Sequence, residues 1–109
     1  MKIQTKYADG MLLVYLSGEL DHHTAKTILT EIENALNRYL PRQCVLDLTG
    51  LRFMDSSGIA VILRLQRQMK QMEGEMWIVH PGSQPGRVLD ASGIEGIVQV
   101  KTLESEKSK

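Results

Sequence analysis

One short polar segment, Asp55-Ser56-Ser57-Gly58, stands between two apolar stretches of the sequence. Small polar side chains of this kind are typical of a helix N-terminus, where Asp55 or Ser56 accepts hydrogen bonds from free backbone N–H groups and Gly58 eases the turn. A serine at such a position is also suited to phosphorylation, because the free N–H groups and the helix dipole stabilise an added phosphate. The segment therefore predicts a helix cap that can also be a modification site.

A phosphate on this segment would act as an electrostatic switch. The chain carries 13 Lys and Arg against 13 Asp and Glu, and a phosphate would change this zero net charge to about −2. In a partner interface, a phosphate beside Asp55 adds like-charge repulsion and a large desolvation cost. Since about 1.4 kcal/mol weakens binding tenfold, one phosphate is enough to abolish a micromolar complex.

A second polar group consists of Glu19, Asp21, His22 and His23, which the sequence pattern places at the start of the first helix. The simpler interpretation is a solvated helix start capped by Asp21, and the functional one is an exposed rim of hydrogen-bonding or stacking contacts. On a helix, His22 and His23 point about 100° apart and cannot easily share a metal ion. The residues alone leave both interpretations open.

The common catalytic and cofactor motifs are missing. Neither G-x-x-x-x-G-K-[ST] nor G-x-G-x-x-G occurs, and no G-x-S-x-G elbow surrounds Ser56 or Ser57. The single cysteine, Cys44, excludes an intramolecular disulfide and a cysteine-rich zinc site, and its apolar neighbours predict a small buried side chain. We therefore expect no enzyme active site, no cofactor and no metal.

The charge balance and the apolar runs limit the partners. A net charge of zero does not favour nucleic-acid binding. The longest apolar run, residues 11–16, is far shorter than the roughly 18 residues needed to cross a bilayer. The first residues lack the pattern of a secretory signal. We expect a cytoplasmic protein that uses neither nucleic acid nor membrane as a partner.

Apolar periodicity predicts the elements that position these residues. Asp9-Gly10 predicts a hairpin between residues 3–7 and the run 11–16, whose successive apolar residues indicate a central strand covered on both faces. Apolar residues at helical spacing predict a first helix from Asp21 to about Leu40. Pro41 then ends it.

The rest of the chain continues this alternation. It predicts a strand over 43–48, a connecting segment at Thr49-Gly50, a helix from the 55–58 segment to residue 72, a strand over 76–79, a short helix through 87–90 that Ser83 or Gln84 caps, and a last strand over 97–100. The first two turns of the second helix are apolar nearly all round, so we expect them buried in the core or against a partner. Trp77 is expected in the core.

Together these elements predict one α/β domain over residues 1–109, with a mixed β-sheet packed against α-helices and a frayed tail at about 103–109. Crossovers that contain helices are expected to be right-handed and to join parallel strands.

Three segments, in order and at matching separations, resemble the STAS-domain anti-sigma factor antagonists, most of all their sporulation branch. They are Gly18-Glu19-Leu20-Asp21-His22-His23-Thr24-Ala25, Phe53-Met54-Asp55-Ser56-Ser57-Gly58-Ile59 and Asp90-Ala91-Ser92-Gly93-Ile94. The resemblance covers nearly the whole chain and implies a STAS-type fold. The sequence departs from the family at Pro85 and Gly86, where better helix formers are usual, so the short helix there is expected to be shortened or shifted.

The resemblance implies a regulator rather than an enzyme. The unphosphorylated form binds an anti-sigma factor, itself a serine kinase with bound nucleotide, and so frees the sporulation sigma factor. That kinase phosphorylates the serine directly after the motif's aspartate, here Ser56, and a serine phosphatase restores it. The free protein is expected to be a monomer. The resemblance places the kinase-binding surface at Glu19, Asp21, His22, Asp55, Ser56, Ser57 and Gly58.

Two alternatives stay open. The chain can be a general-stress antagonist of another anti-sigma kinase, since one sequence does not prove the choice of partner. It can also be a nucleotide-sensing or small-molecule-sensing STAS domain, because helix N-termini attract anions.

Overall fold

Strands and helices alternate along the chain. The structure, a computed structural model, describes residues 1–101. The elements are β1 (Lys2–Ala8), β2 (Met11–Leu20), α1 (Ala25–Tyr39), β3 (Gln43–Met54), α2 (Ser56–Gln71), β4 (Glu75–Val79), α3 (Ser83–Ser92), a 3-10 turn (Ile94–Gly96) and β5 (Gln99–Lys101). Over residues 1–101, no helix is long and apolar enough to cross a membrane. The expected fraying at 103–109 lies outside the described residues.

The five strands form one mixed sheet in the order β1-β2-β3-β4-β5. β1 and β2 are antiparallel, and their turn has positive φ at Asp9 (51°) and Gly10 (80°), as the Asp-Gly signal predicts. The remaining neighbours pair in parallel, with a helix in each connection. The predicted mixed α/β architecture is confirmed.

The core lies between the helices and one face of the sheet. α1 contributes Ile28, Ile32 and Leu36 at the predicted helical spacing. Alternate residues of the strands meet them, and the remaining contributions include Leu12, Val14, Leu16, Cys44, Leu46, Leu48, Val61, Ile62, Leu65 and Met69. Cys44 is buried as expected, and this burial raises the pKa of its thiol to about 12.

Two predictions about β2 and Trp77 are wrong. β2 is not covered equally on both faces, because Leu12 and Val14 are buried whereas Leu13 and Tyr15 between them are only half-buried. Its predicted central position is confirmed, because β2 lies between β1 and β3. Trp77 lies outside the core cluster and is half-buried, with Lys101 Nζ 5.0 Å from its ring centre. Only alternate strand residues face the helices, so a run of apolar letters overestimates burial.

β3 is longer than predicted. It continues through Thr49-Gly50, the expected connecting segment, as far as Met54. β2 runs beside it over the same length, and a Cβ at Gly50 would lie 2.6 Å from Ser17 Oγ. Glycine at this position is therefore explained by close approach of a neighbouring strand rather than by a turn.

The predicted helix limits also need correction. α1 begins at Ala25 rather than Asp21 and ends at Tyr39, and Leu40, which follows as its left-handed C-cap, is 67% exposed. α3 spans Ser83–Ser92 with Gly82 as its N-cap, so it is longer than residues 87–90 and is capped by neither Ser83 nor Gln84. Pro85 lies in its first turn, where backbone N–H groups have no partner within the helix, so the N–H that proline lacks is not missed. The last strand begins at Gln99, and Ile97 is exposed.

Candidate functional site

The predicted site residues lie in and beside the two loops that follow β2 and β3, at one edge of the sheet. β2 and β3 run parallel, so their carboxyl ends lie side by side, with Glu19 opposite Phe53 and Leu20 opposite Met54. The Asp55 N–H then donates a hydrogen bond to the Leu20 carbonyl at 3.2 Å. The structure therefore brings the end of β2 beside the start of α2, with Asp21 and His22 in the turn that follows Leu20.

Asp55 is the N-cap that starts α2. Its backbone is extended, and its carboxylate accepts a hydrogen bond from the Ser57 N–H at 2.8 Å. The predicted cap is confirmed and belongs to Asp55 rather than Ser56. Ser56 is then the first helical residue and its side chain is exposed, whereas Ser57 is half-buried.

This arrangement has opposing electrostatic effects on an anion at Ser56. The N-terminus of the 16-residue α2 favours negative charge through its free N–H groups and dipole. The neighbouring Asp55 carboxylate, which already binds one of those N–H groups, repels it. A phosphate on Ser56 would add to the charge of Asp55 at an exposed position and make this surface strongly acidic.

Gly58 has a different role from the predicted one. Among the described glycines, positive φ occurs at Gly10, Gly18 and Gly93 and not at Gly58, so Gly58 does not ease a turn. Gly58 is buried, and a Cβ there would overlap Met54 Cγ and lie 3.2 Å from Leu20 Cδ2. The missing side chain lets α2 begin directly against the ends of β2 and β3.

Asp21 organises the first loop of the site. Its Oδ1 accepts hydrogen bonds from the N–H groups of His23 (2.9 Å) and Thr24 (3.2 Å). The Thr24 hydroxyl donates to the Glu19 carbonyl at 3.1 Å. Asp21 therefore caps a turn that precedes α1, and the prediction that it caps the helix itself is wrong. Short polar side chains bond nearby backbone in this way in competition with helix formation.

His22 and His23 form an exposed pair on the same loop. Their ring centres are 3.9 Å apart with the planes tilted by 38°. The two rings do not diverge as expected on a helix, because both residues lie in the turn before α1. Within residues 1–101, no group of His, Cys, Asp and Glu is placed to hold a metal ion.

Acid is expected to weaken the Asp21 turn. Partial desolvation raises the pKa of Asp21, but the backbone hydrogen bonds from His23 and Thr24 and the nearby His23 charge outweigh it, so the pKa is lowered from 3.8. A lowered pKa stabilises the fold above the unfolded-state value, and this contribution is lost as the pH falls through the folded-state pKa. We expect Asp21→Ala to have a lower melting temperature than the wild type at neutral pH. Below the unfolded-state pKa of Asp21, the difference in melting temperature is expected to be smaller.

Thermal unfolding followed by circular dichroism across the acid range measures this difference. Glu31→Ala removes an exposed carboxylate from α1 and serves as the control, with no such pH-dependent deficit expected. A deficit for Asp21→Ala that is the same at every pH would contradict the ionic role.

A shallow groove adjoins the site between α1 and α2. It holds about 280 Å³, and its lining residues are Ala25, Lys26, Leu29, Ser57, Ala60, Val61 and Arg64. The apolar first turns of α2 were expected to be buried either in the core or against a partner. In the structure, Val61 and Ile62 are buried in the core, whereas Ala60 and Leu63 are exposed and remain available to a partner.

Sequence reasoning missed the contact of Gln84 with this site. The Gln84 side chain makes two hydrogen bonds to the backbone of Met54, the residue before Asp55. No sequence signal identifies this contact, because its partner is a main-chain group 30 residues away.

Comparisons with known proteins agree with this geometry. The family model of the STAS domain matches residues 2–108. The chain is 38% identical over 100 residues to the anti-sigma F factor antagonist of Paenibacillus polymyxa, which covers 92% of this chain and 86% of that protein. It is similar to the solved structure of the anti-sigma factor antagonist SpoIIAA in its unphosphorylated form, with TM-score 0.79, 25% identity and 98% and 94% of the two chains covered.

A second structural neighbour is the Bacillus cell fate determinant SpoIIAA in its phosphorylated form. The TM-score is 0.70 at 25% identity, and the match covers 98% of this chain and 97% of that one. These matches span nearly the whole chain and therefore include both loops of the site.

Proposed function

The chain belongs to the STAS family and is an anti-sigma factor antagonist of the SpoIIAA type, and we propose that its unphosphorylated form binds an anti-sigma factor that is a serine kinase. This binding releases the sporulation sigma factor. The kinase then phosphorylates Ser56, which ends the binding, and a serine phosphatase removes the phosphate. The chain is the substrate and partner in this cycle, not its enzyme, and acts as a monomer in the cytoplasm.

The exposed Ser56 hydroxyl at the start of α2 carries this proposal. In the transfer, Ser56 Oγ attacks the γ-phosphorus of the kinase's ATP. The Oγ–P bond forms as the bond from that phosphorus to its bridging oxygen breaks, ADP leaves, and the hydroxyl proton passes to a base of the kinase. Phosphorylated SpoIIAA, whose fold this chain shares, supports a phosphorylated state.

The surrounding residues suit a partner-binding surface. The end of β2 and the start of α2 meet at one edge of the sheet, with Leu20 and Asp55 joined by a backbone hydrogen bond. We assign to this surface the predicted set Glu19, Asp21, His22, Asp55, Ser56, Ser57 and Gly58. Gly58 is buried and contributes indirectly, because its missing side chain lets α2 approach the strands. A phosphate at its centre, next to Asp55, opposes docking through repulsion and desolvation.

Intact-mass spectrometry after incubation with ATP and the anti-sigma kinase tests the acceptor. Ser57→Ala is the matched control, because it removes the neighbouring hydroxyl from the same turn. We expect one added phosphate on the wild type and on Ser57→Ala, and none on Ser56→Ala. A phosphate on Ser56→Ala would move the acceptor elsewhere, and an unmodified wild type beside an active control substrate would overturn the proposal.

The same assay tests the choice of partner. We expect the sporulation kinase to phosphorylate Ser56 faster than a general-stress anti-sigma kinase. Faster modification by the general-stress kinase would reassign the chain to that branch of the family.

A further inference from the structure

The end of β3 that leads to Ser56 is held by a side chain on one of its edges. β4 pairs with β3 only from Gln43 to Asp47, whereas β3 continues to Met54. In the described part of the chain, α3 rather than a strand lies against this last part of β3 on the β4 side. Gln84, in the first turn of α3, is placed where a neighbouring strand would otherwise bind.

The Gln84 amide satisfies both backbone groups of Met54. Its Oε1 accepts a hydrogen bond from the Met54 N–H at 2.8 Å, and its Nε2 donates to the Met54 carbonyl at 3.0 Å. This pair of bonds requires a side chain with both a donor and an acceptor, and the carboxamide of glutamine carries both, whereas an ionised glutamate carries only acceptors. Both hydrogen bonds are part-buried, so if the Gln84 side chain were removed, water would satisfy the Met54 N–H and carbonyl only in part.

The next residue is held from the opposite side. The Asp55 N–H donates to the Leu20 carbonyl at 3.2 Å, and the Asp55 carboxylate binds the Ser57 N–H at 2.8 Å. The backbone on either side of Ser56 is therefore fixed by bonds from β2, from α3 and from the N-cap. The exposed Ser56 side chain takes its position from these contacts of its neighbours.

We propose that Gln84 is a positioning residue for phosphoryl transfer to Ser56, because its two hydrogen bonds to Met54 fix where α2 begins. The proposal rests on the proposed function of Ser56 as the acceptor. Phosphoryl transfer depends on placing the attacking oxygen in line with the leaving group. A displacement of about 1 Å can reduce the rate of such a reaction about 100-fold.

Two substitutions at Gln84 separate positioning from folding. Gln84→Met keeps the length of the side chain and removes both hydrogen bonds, whereas Gln84→Glu keeps an acceptor for the Met54 N–H and loses the donor. For Gln84→Met, which adds no charge, we expect kcat for phosphorylation to fall about tenfold while KM changes less than about threefold, since the docking surface remains and only the reacting oxygen is displaced. For Gln84→Glu, which adds a carboxylate near Asp55, the test is the fall in kcat alone. Steady-state kinetics with the kinase and ATP, well below the melting temperature, measure the split.

Gln68→Met is the matched control. Gln68 links α2 to α1 through a hydrogen bond from its Nε2 to Asn37 Oδ1 at 3.3 Å, away from the site, so its kcat is expected to stay unchanged. Faster hydrogen exchange at the Ser57 amide in Gln84→Met would support the proposal independently of the rate.

The outcomes separate the two proposals. If the wild type is phosphorylated and Gln84→Met and Gln84→Glu, with circular dichroism spectra like the wild type, retain its kcat, the positioning role is overturned and the function of Ser56 stands. If one variant does not fold, the other carries the test. If the wild type accepts no phosphate from an active kinase, the function of Ser56 is overturned and the role of Gln84 with it.

Discussion

Ser56→Asp is expected to weaken binding to the proposed partner, the anti-sigma kinase, by at least about 100-fold, which corresponds to roughly 3 kcal/mol of binding free energy. The substitution places a permanent carboxylate next to Asp55 at the centre of the proposed binding surface. Two adjacent negative charges must then be desolvated together when the partner docks. Titration calorimetry with the purified kinase and its nucleotide measures the change.

Two controls isolate the effect of charge at this position. Ser56→Ala removes the hydroxyl without adding charge, so we expect it to bind within about threefold of the wild type because only one exposed hydrogen-bonding group is lost. Gln71→Asp adds the same charge at the other end of α2, about 22 Å away at 1.5 Å per residue. Ser56→Asp that binds as tightly as the wild type, with an unchanged circular dichroism spectrum, would contradict the switch.

Gly58→Ala is expected to lower the free energy of unfolding by about 1–3 kcal/mol, although alanine is favoured over glycine within a helix by about 1 kcal/mol. The added methyl group would overlap Met54 Cγ and press on Leu20. Both neighbours are buried, with 0% and 1% exposure, and have little room to move. The cost of overpacking therefore exceeds the gain in helix propensity.

Gly86→Ala is the matched control in α3. A Cβ at Gly86 meets no atom within 4 Å, and the residue lies inside a helix. It is expected to raise the free energy of unfolding by about 0.5–1 kcal/mol, so the same chemical change has opposite signs at the two sites. Urea denaturation of both variants measures the difference, and stabilisation by Gly58→Ala would show that the helix start has room for a side chain.

The features that the sequence determined by itself depend on residues close together in the chain. Asp9-Gly10 predicted the hairpin, because positive φ at both turn residues is a local preference. The spacing of Ile28, Ile32 and Leu36 predicted the buried face of α1 for the same reason. The segment 55–58 predicted a helix start, and the resemblance to a family added the identity of the acceptor serine, which stays a proposal.

Tertiary structure decided what depends on distant partners. Gly58 and Gly50 are explained by the side chains of neighbouring elements, and the hydrogen bonds of Gln84 end on a backbone group of another element. Parallel pairing placed Glu19 and Leu20 beside Phe53 and Met54, since only the sheet register brings the two carboxyl ends together. The start of α1 is a separate case: Asp21 bonds nearby N–H groups, and the same bonds can form in a helix cap or in a turn that precedes the helix. Local sequence predicts which contacts are available, and packing selects among them.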